Sequence, residues 1–356
     1  MDRLPIRPVR PVRPDRSDRP DEEYSMPRRS LGFAAALGVS ALVLAACSSP
    51  SGSDPDAENT PKGAPTAAAK GNNTVAVITH GSAGDAFWSV VQNGAQDAGK
   101  KLGVDVQYQG NGDPAGQARL IDNAVTQGVG GIVVSMANPD ALANSIKAAT
   151  AKGIPVITIN SGQAKSTEFG AIAHVGQDES IAGEAAGAKL KQAGRTKMLC
   201  VIHEAGNIGL NQRCDGAKAG FGGQTQTLQV DIGNPTDIQA RIRGALQSDS
   251  SIDAVLALNP QVAAVAVGAV GDANSKAQIA TFDLNPDVVT GIRNGKIVFA
   301  VDQQQYLQGY LPVMMIKLYR DNANTVGGGK PVLTGPGFVD KNNVGAVAEY
   351  AQRGTR

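Results

Sequence analysis

Seven apolar runs of this 356-residue chain each end on or just before a hydrogen-bonding side chain: His80, Ser135, Asn160, His203, Asn259, Asp283 and Gln303. An amide or a carboxylate can meet two adjacent hydroxyls at once, so a set of this kind suits a polyhydroxylated ligand. Any one of these positions alone reads as a helix cap or a turn residue; their accumulation carries the argument. Phe87 and Trp88 stand side by side in GSAGDAFWSVV (81–91), just after Asp85, in a chain whose aromatic content is only 4%. They offer flat apolar surface beside the polar set.

Catalysis would ask for something else: a nucleophile with a nearby base, a metal cluster or a phosphate cradle. The three histidines, His80, His174 and His203, lack metal-ligand spacing, and no G-x-x-x-x-G-K-[ST] occurs. The run Gly327-Gly328-Gly329-Lys330 lacks the rest of that loop and reads as a surface turn. The expectation is a binding protein without catalytic residues, metal or cofactor.

The elements that position these residues alternate in type. TVAVIT (74–79) is followed by a helix from about Asp85 to Leu102 with apolar residues spaced at three and four. VDVQYQ, a helix over about 114–127, GGIVVS, a helix over about 139–152 and IPVITIN repeat the unit. The pattern starts again with KMLCVIH, a helix around Gly216 to Phe221, TLQVD, a helix over about 236–247, AVLALN, a helix over about 261–270 and QIATFD. KIVFAVDQQ, a helix over about 306–322 and GPGFVDKNN before a last helix complete the chain. Strand and helix in alternation predict an α/β fold of two lobes, each a parallel sheet wrapped on both faces. Ligands of such sheets bind beyond the carboxyl ends of the strands, which is where the polar set falls.

The N-terminus stands apart from this fold. RPVRPVRPDRSDRPDEE (7–23) is rich in Pro, Arg and Asp and cannot fill a core, so residues 1–25 read as a disordered extension that initiation at Met26 would omit. MPRRSLGFAAALGVSALVLAA (26–46) has the basic pair, short apolar run and small residues of a secretory signal. Residues 47–72 form a Ser/Gly/Pro/Ala tether without periodicity. The whole-chain net charge is +1, and nothing in the balance points to nucleic acid. Beyond Cys47 only Cys200 and Cys214 remain. One lies in a predicted strand and the other in the next helix, so a disulfide is expected, with two buried thiols or a redox pair as the competing readings.

Leu44-Ala45-Ala46-Cys47 resembles the bacterial lipobox, which implies lipidation of Cys47, export, and attachment to the outer face of the cell membrane. DAFWSVVQNGA, IPVITINSG, HVGQDE, NQRCDGAKAGF, LALNPQVAAVAVGAV, TFDLNPDVVTGI and FAVDQQQYLQGY, in that order, resemble a class I periplasmic solute-binding protein of a sugar ABC importer, in the ribose-binding-like branch. The resemblance covers nearly all of 73–352. It implies a periplasmic-binding-protein type I fold, two doubly wound parallel-sheet lobes joined by three crossovers, with an N-terminal lobe of 73–175 plus 305–334 and a C-terminal lobe of 176–304 plus 335–356. The implied ligand is a monosaccharide or polyol, held by Phe87 and Trp88 on its C–H faces and by Asp85, Asn160, Arg213, Asn259, Asp283 and Gln303 on its hydroxyls, with His80 beside them.

Departures from the ribose pattern are Asp85 where an amide is common and Ser161 where an arginine is common. They argue against assigning ribose, and several carboxylates with one arginine favour a neutral ligand. The implied partners are an ABC permease and ATPase and, through the lipid, the membrane; the chain is expected to be a monomer. The alternative is a sugar-sensing component that delivers its closed form to a membrane sensor. Repressor cores share the fold but begin with a helix-turn-helix, where this chain has the lipobox and tether.

Overall fold

The computed structural model describes residues 72–82 and 84–356; Met26, Cys47 and the signal lie outside them, as does nearly all of the tether. Among the described residues no helix is long and apolar enough to cross a membrane.

The first half of the chain runs β1 (Thr74–Thr79), α1 (Ala86–Leu102), β2 (Asp105–Gly110), α2 (Pro114–Thr126), β3 (Gly131–Ser135), α3 (Pro139–Ala151), β4 (Val156–Ile159), the one-turn α4 (Gln163–Ser166) and β5 (Ala173–Gly176). The second runs α5 (Glu179–Gln192), β6 (Lys197–Ile202), α6 (Ile208–Phe221), β7 (Gln224–Gln229), α7 (Pro235–Ser248), β8 (Ala254–Ala257), α8 (Pro260–Asp272), β9 (Gln278–Phe282), α9 (Pro286–Arg293) and β10 (Ile297–Asp302). Then come α10 (Gln305–Asn322), β11 (Val332–Leu333), β12 (Gly337–Asp340) and α11 (Val344–Gln352).

Two six-stranded sheets result, ordered β11-β5-β4-β3-β1-β2 and β12-β10-β9-β8-β6-β7, parallel throughout except for β12 against β10. The same order recurs in both, so each strand of one lobe has a counterpart in the other. Central strands such as GIVVS of β3 and AVLA of β8 are apolar almost from end to end because helices cover both faces of their sheets, and every residue in them is buried. The chain passes between lobes from β5 to α5, from β10 to α10 and from β11 to β12.

The passages exchange helices. α5 packs on α6 in the second lobe, and α10 packs on α1 in the first, both through glycine. A Cβ at Gly183 would lie 2.2 Å from the Arg213 carbonyl oxygen, and one at Gly309 would lie 1.9 Å from that of Val91. No other residue lets the two backbones approach so closely.

The elements α5, α9 and β5 are not expected from the sequence pattern, and α6 begins at Ile208 rather than near Gly216. The buried face of α5 explains part of this. It is mostly Ala and Gly, so burial leaves little apolar periodicity to detect. Cys200 of β6 and Cys214 of α6 form a disulfide with Cα atoms 5.9 Å apart, tying that helix to its sheet.

Candidate functional site

A cleft lies between the lobes at the carboxyl ends of the strands. All nine side chains selected from the sequence are on its wall: His80, Asp85, Phe87, Trp88, Asn160, Arg213, Asn259, Asp283 and Gln303. His203, Glu204, Asn207, Leu210 and Leu258 complete it. Ser135 stands behind the wall, where its Oγ accepts from the His80 backbone N–H at 2.9 Å and lies 2.7 Å from the His80 Nδ1. His174 is elsewhere, bonded through Nδ1 to Thr158 Oγ1 at 2.9 Å, and burial pushes its pKa down to about 4.

Helix capping decides which way several of these groups face. Asp85 caps α1, accepting from the Phe87 N–H at 2.9 Å through Oδ1. Asn259 caps α8, its Oδ1 accepting from Gln261 N–H at 2.8 Å, which leaves the amide N–H₂ outside the cap. A cap that fixes the carbonyl end of an amide fixes the donor end as well. Asn160 and Asp283 follow β4 and β9, counterparts in the two sheets, and both hold left-handed backbone, with φ of 60° and 67°. Each sends its N–H to the neighbouring strand, Asn160 to the Val175 carbonyl and Asp283 to that of Val301. Side chains with short polar ends tolerate this conformation best, and here it turns them into the cleft.

Phe87 and Trp88 meet edge to face with centroids 4.8 Å apart, and Trp88 meets His80 the same way at 4.7 Å. Both aromatics also pack into the core of the first lobe. They are wall and core together.

The charges are paired more fully than sequence reading allows. Arg213 is buried and donates twice to Glu179 of α5, from Nε at 2.5 Å and from Nη2 at 2.8 Å, with its guanidinium 4.7 Å from the centre of the Phe282 ring. Only part of that guanidinium is left for anything else. Asp283 Oδ2 accepts from Gln303 Nε2 at 3.0 Å, and Asn160 Nδ2 donates to Gln303 Oε1 at 3.2 Å, so Gln303 links the strand ends of the two lobes. Burial pushes the Asp283 pKa up to about 8 against the pull of Arg213. Burial likewise pushes that of Asp85 up to about 6, and that of the His203 imidazole down to about 3.

Other contacts bridge the lobes directly. Ser161 Oγ donates to Asn207 Oδ1 at 3.2 Å, Asn207 Nδ2 lies 3.3 Å from His80 Nε2 and donates to Glu204 at 2.8 Å. Gln261 of α8 reaches the backbone on either side of Asp85, accepting from the Ala86 N–H at 3.0 Å and donating to the Gly84 carbonyl at 3.3 Å. Sequence reasoning misses Glu179 and Asn207 because it misses the helix starts they belong to. Asn207 caps α6 with a side-chain bond to Gly209 N–H, a signal visible in GNIGL once the helix is begun there.

Among the described residues no group of three or more His, Cys, Asp or Glu is placed to hold a metal ion. The cavity wall brings aromatic surface, amides and carboxylates together.

Comparison with known proteins agrees with this architecture. The profile of the periplasmic binding protein domain matches residues 75–323. The ribose import binding protein of Haemophilus influenzae is 28% identical over 237 residues, 64% of this chain and 79% of that one. The xylose/arabinose-binding protein of Sulfolobus acidocaldarius is 26% identical over 258 residues, 65% of this chain and 63% of that one. Among solved structures, the carbohydrate transporter of Acidothermus cellulolyticus 11B in complex with myo-inositol is 44% identical, with a TM-score of 0.79 over 80% of this chain and 99% of that one. With its two like-ordered sheets and a cleft at their strand ends, this chain belongs to the periplasmic binding protein family, in its type I architecture.

Proposed function

We propose that this protein captures a neutral polyhydroxylated ring, a cyclitol or a monosaccharide, between its lobes and presents it outside the cell to an ABC-type importer, held at the membrane by a lipid on Cys47. Its role is binding, not catalysis, as in its relatives. The observation that carries this reading is the composition of one wall. Phe87 and Trp88 supply surface for the C–H faces of a ring, and Asp85, Asn160, Asn259, Asp283 and Gln303 supply paired hydrogen bonds for its hydroxyls.

Charge supports a neutral ligand. Arg213 is already matched by Glu179, so an anion would enter a cavity whose wall offers carboxylates and no unmatched cation to balance it. A cyclitol is favoured by the likeness to the A. cellulolyticus protein, whose structure contains myo-inositol.

The test is a thermal-shift and calorimetric screen of the purified protein against myo-inositol, monosaccharides, linear polyols and sugar acids. Ligand at 100 times its Kd adds about 2.7 kcal/mol of stability, a shift readily seen. Stabilisation by neutral rings and none by the acids is expected; no shift with any compound sinks the proposal. For the anchor, metabolic labelling with a radioactive fatty acid should mark the wild type and not Cys47→Ala.

A further inference from the structure

Two atoms on the cavity wall are sealed from solvent without a hydrogen-bond partner, His203 Nδ1 and Asp283 Oδ1. Leaving a buried polar atom unpaired costs roughly 1–3 kcal/mol, so a wall that keeps two of them is shaped for a molecule that pairs them. Both end strands in the sequence, but only Asp283 has a ligand contact in the function proposed above.

The repeat of the two lobes shows why His203 is left over. His80 follows β1 and His203 follows β6, counterpart strands in sheets of the same order. The register of β1 on β3 carries Ser135 to the level just before His80, and Ser135 takes up the imidazole Nδ1 at 2.7 Å. The register of β6 on β8 carries Leu258 to the corresponding level. An aliphatic side chain cannot bond an imidazole, and Leu258 is on the cavity wall beside His203. One lobe satisfies its histidine internally; the other leaves it for the cavity.

β6, β8 and β9 are consecutive neighbours in their sheet, so Asn259 stands at the strand end between His203 and Asp283, and the two unpaired groups belong to strand ends on either side of it.

Resting on the function proposed above, we infer that His203 is a specificity-determining residue, its Nδ1 pairing with a hydroxyl of the bound ligand. Burial keeps the imidazole uncharged, with Arg213 and His80 pressing the same way, so the bond is one between neutral groups.

The test is calorimetry on the purified wild type and His203→Phe, which keeps a planar ring without nitrogens, using myo-inositol and its monodeoxy analogues. The variant should bind myo-inositol about ten- to a hundredfold more weakly with an unchanged melting temperature. One deoxy analogue should bind wild type as weakly as that and lose nothing further in the variant, since the same bond is removed twice. His203→Gln, which restores a hydrogen-bonding group, should recover part of the loss. Affinity for myo-inositol within twofold of wild type, or an equal loss with every analogue, overturns the assignment. A wild type that binds no compound of the wider screen overturns the functional proposal and this inference with it, an outcome distinct from the other two because they require a wild type that binds.

Discussion

Asp283 concentrates the chemistry of the cleft in one side chain. It is 1% exposed, on left-handed backbone, with one oxygen on Gln303 and the other unpaired. Arg213, Asp302 and Glu179 are the charged groups that act on it, and the first is already tied to Glu179. Because burial raises its folded pKa to about 8, above the ordinary value near 4, the folded state holds a proton that the unfolded chain releases. Its contribution is therefore complete below about pH 4 and is lost as pH rises to about 8. The stability of wild type relative to Asp283→Asn should fall across that window in denaturant titrations, and a difference flat throughout it would refute the protonation argument. At this scale the strand-end rule makes six of the wall's side chains legible in the sequence, His80, Asn160, His203, Asn259, Asp283 and Gln303, because a polar residue that ends an apolar run needs no alignment to be seen, whereas Arg213 is reached only through the family resemblance. The pairing of Arg213 is not legible. It depends on a glutamate 34 residues away on a helix whose buried face is alanine and glycine.

Elements that meet through glycine are hard to see for the same reason that they pack closely. α1 with α10, and α5 with α6, hold the crossover helices of each lobe against the helices that carry Trp88 and Arg213. Adding one methyl at Gly309 puts a carbon 1.9 Å from the Val91 carbonyl oxygen, so α10 must shift. Gly309→Ala should destabilise the protein by about 1–3 kcal/mol or more by overpacking. Gly244, inside α7, has nothing within 4 Å of the same methyl, and Gly244→Ala should stabilise by about 0.5–1 kcal/mol through the helix backbone alone. Chemical denaturation of the two variants measures both signs. Similar effects from the pair would mean that helix propensity rather than close approach governs Gly309. The long amphipathic helices α1 and α7 are legible because their faces differ in polarity, and strands such as β3 and β8 because they are almost unbroken apolar runs; β5, four residues with a histidine in the middle, is too short and mixed to register.

For the whole molecule, the repeat of strand and helix is what the sequence states most plainly, and the two like-ordered sheets follow from it. The exchange of helices at the passages does not follow, since nothing local says that α5 leaves the lobe of β5 to pack in the next one. Contacts between the lobes are similarly invisible in one dimension. Gln261 is the clearest of these. From the second lobe it holds the N–H of Ala86 and the carbonyl of Gly84, the two backbone groups that flank Asp85 in the first. Both bonds exist only while the lobes are together, and neither involves an atom on the cavity wall. Their consequence is kinetic: a captured molecule cannot leave until they break, whereas it enters before they form. Gln261→Ala should raise the dissociation rate by roughly tenfold and leave the association rate within about a factor of two, as read by stopped-flow tryptophan fluorescence from Trp88. Equal changes in both rates would remove Gln261 from that role. On this account a side chain that never touches the ligand contributes to its residence time, which can be tuned there without altering what the cleft recognises.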